Sequence, residues 1–300
     1  MKSKFLAFLI AIFLCLIKTS YANESHEALH KKLLHSLYGK EVTPFAVISI
    51  PQSSMPVLMN VLYYMANATP YWQPGLETEF DAYYRSLWKN KNCYSFLCTH
   101  FCVSSAFESL SNNINLKKIV CIRDLRDVCV SIVYYIQKNG WPGLNNRYPY
   151  EWQAFNQLSF DEQLLFVIQY EYDAAKKGTL DQFSLTKVAT QTAQYCNKPN
   201  ILVCPYENLV GEEGGGTQKA QLATFDRINQ FLNLGLSKEK LLEISSKIGT
   251  KERYLVDKQE CCSPKIGSWK EVFKEEHKEA FKKKLGWALI YFGYEKDNNW

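Results

Sequence analysis

After the run Phe5–Ile17, no stretch of this 300-residue chain is long and apolar enough to cross a membrane as a helix, which excludes a bundle of membrane-spanning helices. No segment repeats at a fixed period and no low-complexity tract interrupts the chain, so a repeat array or a linker protein is excluded as well. A strong excess of positive charge is also missing. The formal net charge is +5, and it falls to +2 without the first 22 residues, which hold Lys2, Lys4 and Lys18 and no acid. That balance argues against bulk nucleic-acid binding, which needs a strongly basic surface. Lys282-Lys283-Lys284 is a local basic run and reads as a solvated helix face. A carboxylate cluster of the kind that holds magnesium is absent too.

Apolar residues make up 47% of the chain, enough for a sizeable core. Strand patterns alternate with helix patterns, which favours an α/β layer fold over a helix bundle or a β-sandwich. The N-terminus stands apart. Lys2 and Lys4 precede the thirteen apolar residues Phe5–Ile17, and Ser20-Tyr21-Ala22 follows. This is the pattern of a secretory signal peptide over residues 1–22, with an uncleaved anchor as the weaker alternative, and it predicts export of residues 23–300 with no stable membrane span after cleavage. As a helix the run rises about 20 Å, against a bilayer core of about 30 Å. Of ten cysteines, Cys15 lies in that segment, and the nine left cannot all pair within one chain. Cys121, Cys129 and Cys204 sit in apolar patterns and read as small core residues, whereas Cys261-Cys262 are the better disulfide candidates.

Three segments read as buried strands: Phe45–Ile50, Lys118–Ile122 and Ile201–Cys204. In open α/β sheets, ligands bind beyond the carboxyl ends of the strands. The residues there are Gln52–Pro56, Arg123 and Tyr206, with a fourth possible strand end at His100. Arg123 comes directly off a strand, Asp127 can cap or open the next helix, and Ser131 lies one turn further. A guanidinium and a hydroxyl so placed can converge on one anion; the plainer alternative is a surface ion pair of Arg123 with Asp124 or Asp127. Cys98, His100 and Cys102 would share one strand face, but a fourth ligand with zinc spacing is missing. His100 then reads as a hydrogen-bonded core residue or as a general base.

Together these segments resemble the sulfotransferases that use 3′-phosphoadenosine-5′-phosphosulfate (PAPS), in particular the soluble cytosolic group. The match is collinear from about Phe45 to Tyr294. The family's loop Pro-Lys-Ser-Gly-Thr-Thr-Trp corresponds to Pro51-Gln52-Ser53-Ser54-Met55-Pro56-Val57, and its Lys-Thr-His-Leu-Pro segment to Cys98-Thr99-His100-Phe101-Cys102. Its Arg, Lys-Asp-Val and Ser of the 3′-phosphate site correspond to Arg123, Arg126-Asp127-Val128 and Ser131. Tyr206-Glu207-Asn208 resembles its Tyr-Glu-Asp, and Cys262 to Lys270 resembles its Arg-Lys-Gly-x-x-Gly-Asp-Trp-Lys. The resemblance implies a single domain over 23–300 built as a central parallel sheet with helices on both faces, a three-layer sandwich of the P-loop NTPase-like kind. It also implies sulfonyl transfer from PAPS to a hydroxyl or amine of a small-molecule, glycan or peptide acceptor, with His100 as base and no metal. It implies a nucleotide site of Gln52, Ser53, Ser54, Met55, Arg123, Ser131, Tyr206, Lys265 and Gly267. Aromatics such as Tyr83, Tyr84, Trp88, Tyr134, Tyr135 and Trp141 are candidates for an acceptor pocket, with core packing as their plainer fate.

The departures concern charge. Gln52 replaces the loop lysine, Cys98 the lysine before the base, and Cys262-Ser263 an Arg-Lys pair, leaving Lys265 or Lys270 as substitutes. They motivate an alternative: a catalytically impaired, exported factor that binds an anion, a nucleotide or a host partner. A phosphoryl-transfer reading lacks the loop lysine it requires. The family's dimer segment has no counterpart in Glu271–Glu279, so the oligomeric state stays open.

Overall fold

Short runs of β-branched and aliphatic residues supply the sheet. The computed structural model describes residues 26–38, 43–53, 55–73, 94–100, 109, 111–139, 149–171, 184–248 and 265–300. Among them are strands β1 (Phe45–Ser49), β2 (Ala68–Gln73), β3 (Tyr94–His100), β4 (Lys117–Ile122) and β5 (Ile201–Pro205). They form one sheet in the order β2-β3-β1-β4-β5, with every pairing parallel. The crossing of β1 between β3 and β4 brings three strand ends, at Ser49, His100 and Ile122, side by side.

Alternation along each strand builds two cores. In β4, Ile119 and Cys121 face one side while Val120 and Ile122 face the other. The first side packs against α2 (Met55–Ala66), α7 (Gln218–Leu232) and α8 (Lys238–Lys247). The second packs against α3 (Leu125–Asn139), α5 (Phe160–Gln169), α6 (Leu185–Cys196) and α10 (Glu275–Tyr291). The remaining described α-helices are α1 (His26–Tyr38), α4 (Pro149–Gln157) and the short α9 (Trp269–Val272). Phe45 of β1 and Phe96 of β3 stack at 4.8 Å between ring centres, a contact worth about 1 kcal/mol beyond burial. Cys121, Cys129 and Cys204 are fully buried, as expected of small core residues, and burial pushes the Cys121 thiol up to about 12.

Two features differ from the sequence reading. Strand β2 was not anticipated, because Pro70 interrupts its pattern; among the described residues it is an edge strand paired only with β3, where the missing N–H is tolerated. Nor does Asp127 cap α3; of the two places open to it, it takes the opening turn. The cap is Asp124, whose carboxylate accepts from the Arg126 N–H at 2.9 Å and whose carbonyl accepts from Val128 at 3.0 Å. The cap must precede the first turn, and Asp127 already lies inside it. Residues 1–22, Ser54, Tyr83, Tyr84, Trp88, Cys102, Trp141 and Cys261-Cys262 lie outside the described residues.

Candidate active site

The loop after β1 is a tight turn. The Ser53 N–H donates to the Ile50 carbonyl at 3.1 Å, closing Ile50-Pro51-Gln52-Ser53. Pro51 fixes a negative φ at the first central position, and Gln52 takes φ 62 at the second, which makes this a type II turn. That position favours glycine, so glutamine there carries backbone strain of about 1 kcal/mol or more. Ser53 is buried and turned inward: its hydroxyl donates to the Ile50 carbonyl at 2.6 Å and, more weakly, to the Cys121 carbonyl at 3.4 Å. The Cys121 thiol in turn donates to the Ser53 carbonyl at 3.3 Å. Met55 points into the core below the loop.

Gln52 is the hub of the site. Its carbonyl accepts from Arg123 Nη1 at 3.2 Å, and its side-chain Oε1 accepts from the Ser131 hydroxyl at 3.1 Å. One residue thus joins the strand-end arginine to the serine one and a half turns into α3. Arg123 is only 1% exposed, which rules out the surface ion pair considered for it. Its guanidinium lies 4.5 Å from the ring centre of Tyr206, itself fully buried. Cation–π packing of this kind orients a planar cation without neutralising it. Its Nη2 donates to the Lys265 carbonyl at 3.4 Å.

The segment from Lys265 to Trp269 lies over this arginine because Asp127 holds it. The Asp127 carboxylate accepts from Gly267 N–H at 2.7 Å, Ser268 Oγ at 2.9 Å and Trp269 N–H at 3.0 Å. Gly267 has φ 78, the left-handed conformation that lets the chain turn its N–H back toward the acid. Lys265 contributes its carbonyl, while its ammonium pairs with Glu271 at 2.6 Å on the surface. Behind the segment, Arg126 makes paired bonds to Asp124 and one to Glu295 at 2.6 Å. The same guanidinium stacks on Trp269 at 3.9 Å and Trp300 at 4.4 Å, tying the C-terminal residues to the segment. Glu207 accepts from the Asp124 N–H at 2.9 Å and from the Tyr294 hydroxyl at 2.9 Å, fixing the backbone next to Arg123. Burial pushes its carboxyl up, partly offset by those donors.

At the end of β3, the His100 Nδ1 lies 2.9 Å from Ser49 Oγ and 3.3 Å from the Ser49 carbonyl. The residue is partly buried, and burial pulls its pKa down to about 4, opposed only in part by the Ser49 carbonyl. A neutral imidazole at neutral pH can take a proton.

The structure therefore brings Gln52, Arg123, Ser131, Tyr206, Lys265 and Gly267 into one network at the carboxyl edge of the sheet, with His100 at the end of the strand beside β1. Ser53 and Met55 support the loop from below, and Ser54 lies outside the described residues. Ser49, Glu207 and the anchoring role of Asp127 were missed, since each acts through a partner more than fifty positions away. Among the described residues no group of His, Cys, Asp and Glu is arranged to hold a metal ion.

A family model described as the sulfotransferase domain matches residues 54–289. Among solved structures, the chain is similar to a mouse sulfotransferase, SULT7A1, complexed with PAP, at 17% identity over 88% of this chain and 94% of that one, with TM-score 0.56. It is also similar to retinol dehydratase in complex with androsterone and the inactive cofactor PAP, at 16% identity over 86% of this chain and 84% of that one, with TM-score 0.50. At such identities the likeness concerns the fold. No curated protein matches the chain.

Proposed function

The chain belongs to the sulfotransferase family, and on that premise we propose that it moves a sulfonyl group from PAPS to a hydroxyl or amine of an acceptor, with His100 as general base. The observation that carries the proposal is the network in which Arg123, Ser131 and the β1 loop meet at the sheet's carboxyl edge, one strand away from a neutral imidazole. The donor set suits a nucleotide bisphosphate at one end: Arg123 and Ser131 offer a charge and a hydroxyl to the 3′-phosphate. Toward the 5′-phosphate the loop offers the amide of Gln52, a weaker partner than a cation. The PAP bound in both similar structures supports this choice of donor.

In the proposed reaction the acceptor oxygen forms a bond to sulfur as the bond from sulfur to the phosphate oxygen breaks. The leaving nucleotide keeps that electron pair, and the acceptor's proton passes to His100. The protein's share is positioning and charge stabilisation. The test is transfer of label from PAPS to a panel of phenols. Wild type is expected to transfer, and His100→Ala to lose roughly a hundredfold or more, in line with general-base contributions. Equal rates for the two would remove the proposed base. We also propose export by residues 1–22, on the strength of their charge and apolar pattern.

One observation favours a second reading. Gln52 occupies the Ser131 hydroxyl, and the Lys265 ammonium is turned to Glu271, so neither supplies the cation expected in the loop. An exported factor that holds a nucleotide or another anion without transferring it would have such a site. It predicts binding of adenosine 3′,5′-bisphosphate with no transfer to any acceptor.

A further inference from the structure

Ser49 reads as an ordinary core position from its place in a strand, yet its side chain reaches the proposed base. β1 and β3 pair in parallel with Ser49 directly opposite His100. Ser49 is fully buried, and both of its side-facing oxygens approach the same ring nitrogen: Oγ at 2.9 Å and the backbone carbonyl at 3.3 Å from Nδ1. A carbonyl oxygen only accepts. A hydrogen on Nδ1 satisfies both oxygens at once, the hydroxyl more strongly because it is closer. In the opposite tautomer the Ser49 hydroxyl would donate to Nδ1, but the Nδ1 lone pair would then also face the carbonyl lone pair in a buried place, where an unmatched polar contact is costly.

We infer that Ser49 is a positioning residue that fixes His100 in the Nδ1–H tautomer and so leaves Nε2 as the proton-accepting nitrogen. The isolated histidine side chain mildly prefers the other tautomer, so the strand supplies the bias. The inference rests on the reading of His100 as the base. In the balanced step, the acceptor's proton moves to Nε2 and forms an imidazolium, whose Nδ1–H then donates to Ser49 with added charge. Ser49 thereby stabilises the protonated ring without touching the acceptor.

The test is a long-range proton–nitrogen correlation spectrum of the full chain labelled with nitrogen-15, at pH 7. The chain has five histidines, and His100 is assigned by the signals lost in His100→Gln. The expected result is a protonated, pyrrole-like Nδ1 and an unprotonated Nε2. Ser49→Ala should shift His100 toward the Nε2–H form, while Ser49→Thr keeps the wild-type pattern. In the PAPS assay Ser49→Ala should lower kcat roughly tenfold, a part of the base's full contribution, leave KM for PAPS nearly unchanged, and be rescued by Ser49→Thr. A wild-type His100 in the Nε2–H form overturns the inference, and this reading stands even if Ser49→Ala fails to fold. An unchanged tautomer in a folded Ser49→Ala overturns it too. If the tautomer is as expected but no protein transfers sulfonyl groups, the positioning of His100 holds and the enzymatic reading of the site falls.

Discussion

Replacing Gln52 with lysine should change the free and the nucleotide-bound protein in opposite directions. In the free protein, an ammonium at this position would sit near the Arg123 guanidinium, whose Nη1 already contacts the Gln52 carbonyl at 3.2 Å. Two unit charges about 6 Å apart in an effective dielectric of about 20 repel by about 3 kcal/mol. A lysine swinging toward solvent reduces this to about 1 kcal/mol. The hydrogen bond from Ser131 to Gln52 Oε1 is also lost, at about 1 kcal/mol. The strain of a positive φ is shared by both side chains and cancels. The free Gln52→Lys protein should therefore melt about 4–8 °C lower, at about 2–4 °C per kcal/mol for a chain of this size. With adenosine 3′,5′-bisphosphate, a charged donor replaces a neutral one, a gain of about 1 kcal/mol, and the repulsion is relieved by the anion. Affinity should rise tenfold or more in calorimetry, and the ligand-induced rise in Tm should exceed that of wild type. A variant as stable as wild type that binds the nucleotide no more tightly would refute the placement of Gln52 beside the proposed anion site.

Asp127→Asn should loosen the segment over Arg123, because one carboxylate serves three donors there. The expected cost is about 2–3 kcal/mol in chemical denaturation, with weaker nucleotide binding; unchanged binding would detach this segment from the site. Stability should also fall in mild acid. Burial holds the pKa of both His30 and His100 down to about 4, so between about 6.5 and 4 the unfolded chain binds protons that the folded chain refuses. Their contribution is fully present above pH about 6.5 and is lost as pH falls toward 4. Denaturation midpoints at pH 7 and pH 5 measure it, and His30→Gln with His100→Gln should flatten the difference. A midpoint that rises on acidification would contradict the burial of these rings.

What the sequence disclosed follows from what acts locally. β1, β4 and β5 were legible because each is a short apolar run facing two cores, and the residues just past them were legible because parallel sheets bind ligands there. β2 was hidden by Pro70, whose acceptability depends on being at the edge of the sheet. Arg123 and Ser131 stood out by their spacing on a strand end and a helix. The anchors did not: Asp127 looked like a cap until Asp124 took that place, and its true partners are about 140 residues away. Lys265 looked like a replacement cation because sequence shows a charge and not its direction; its ammonium goes to Glu271 and only its carbonyl faces Arg123. Ser49 carried no signal beyond its strand, since only the register with β3 sets it against His100.

Calorimetric titration of wild type and Arg123→Ala with adenosine 3′,5′-bisphosphate most directly tests whether this buried arginine, held on Tyr206 and bridged through Gln52 to Ser131, is the anchor of a nucleotide site. The account predicts micromolar binding by wild type and at least a tenfold loss in Arg123→Ala, the worth of a charge-assisted bond to phosphate. Equal affinity of the two proteins, or no binding by a folded wild type, would contradict it.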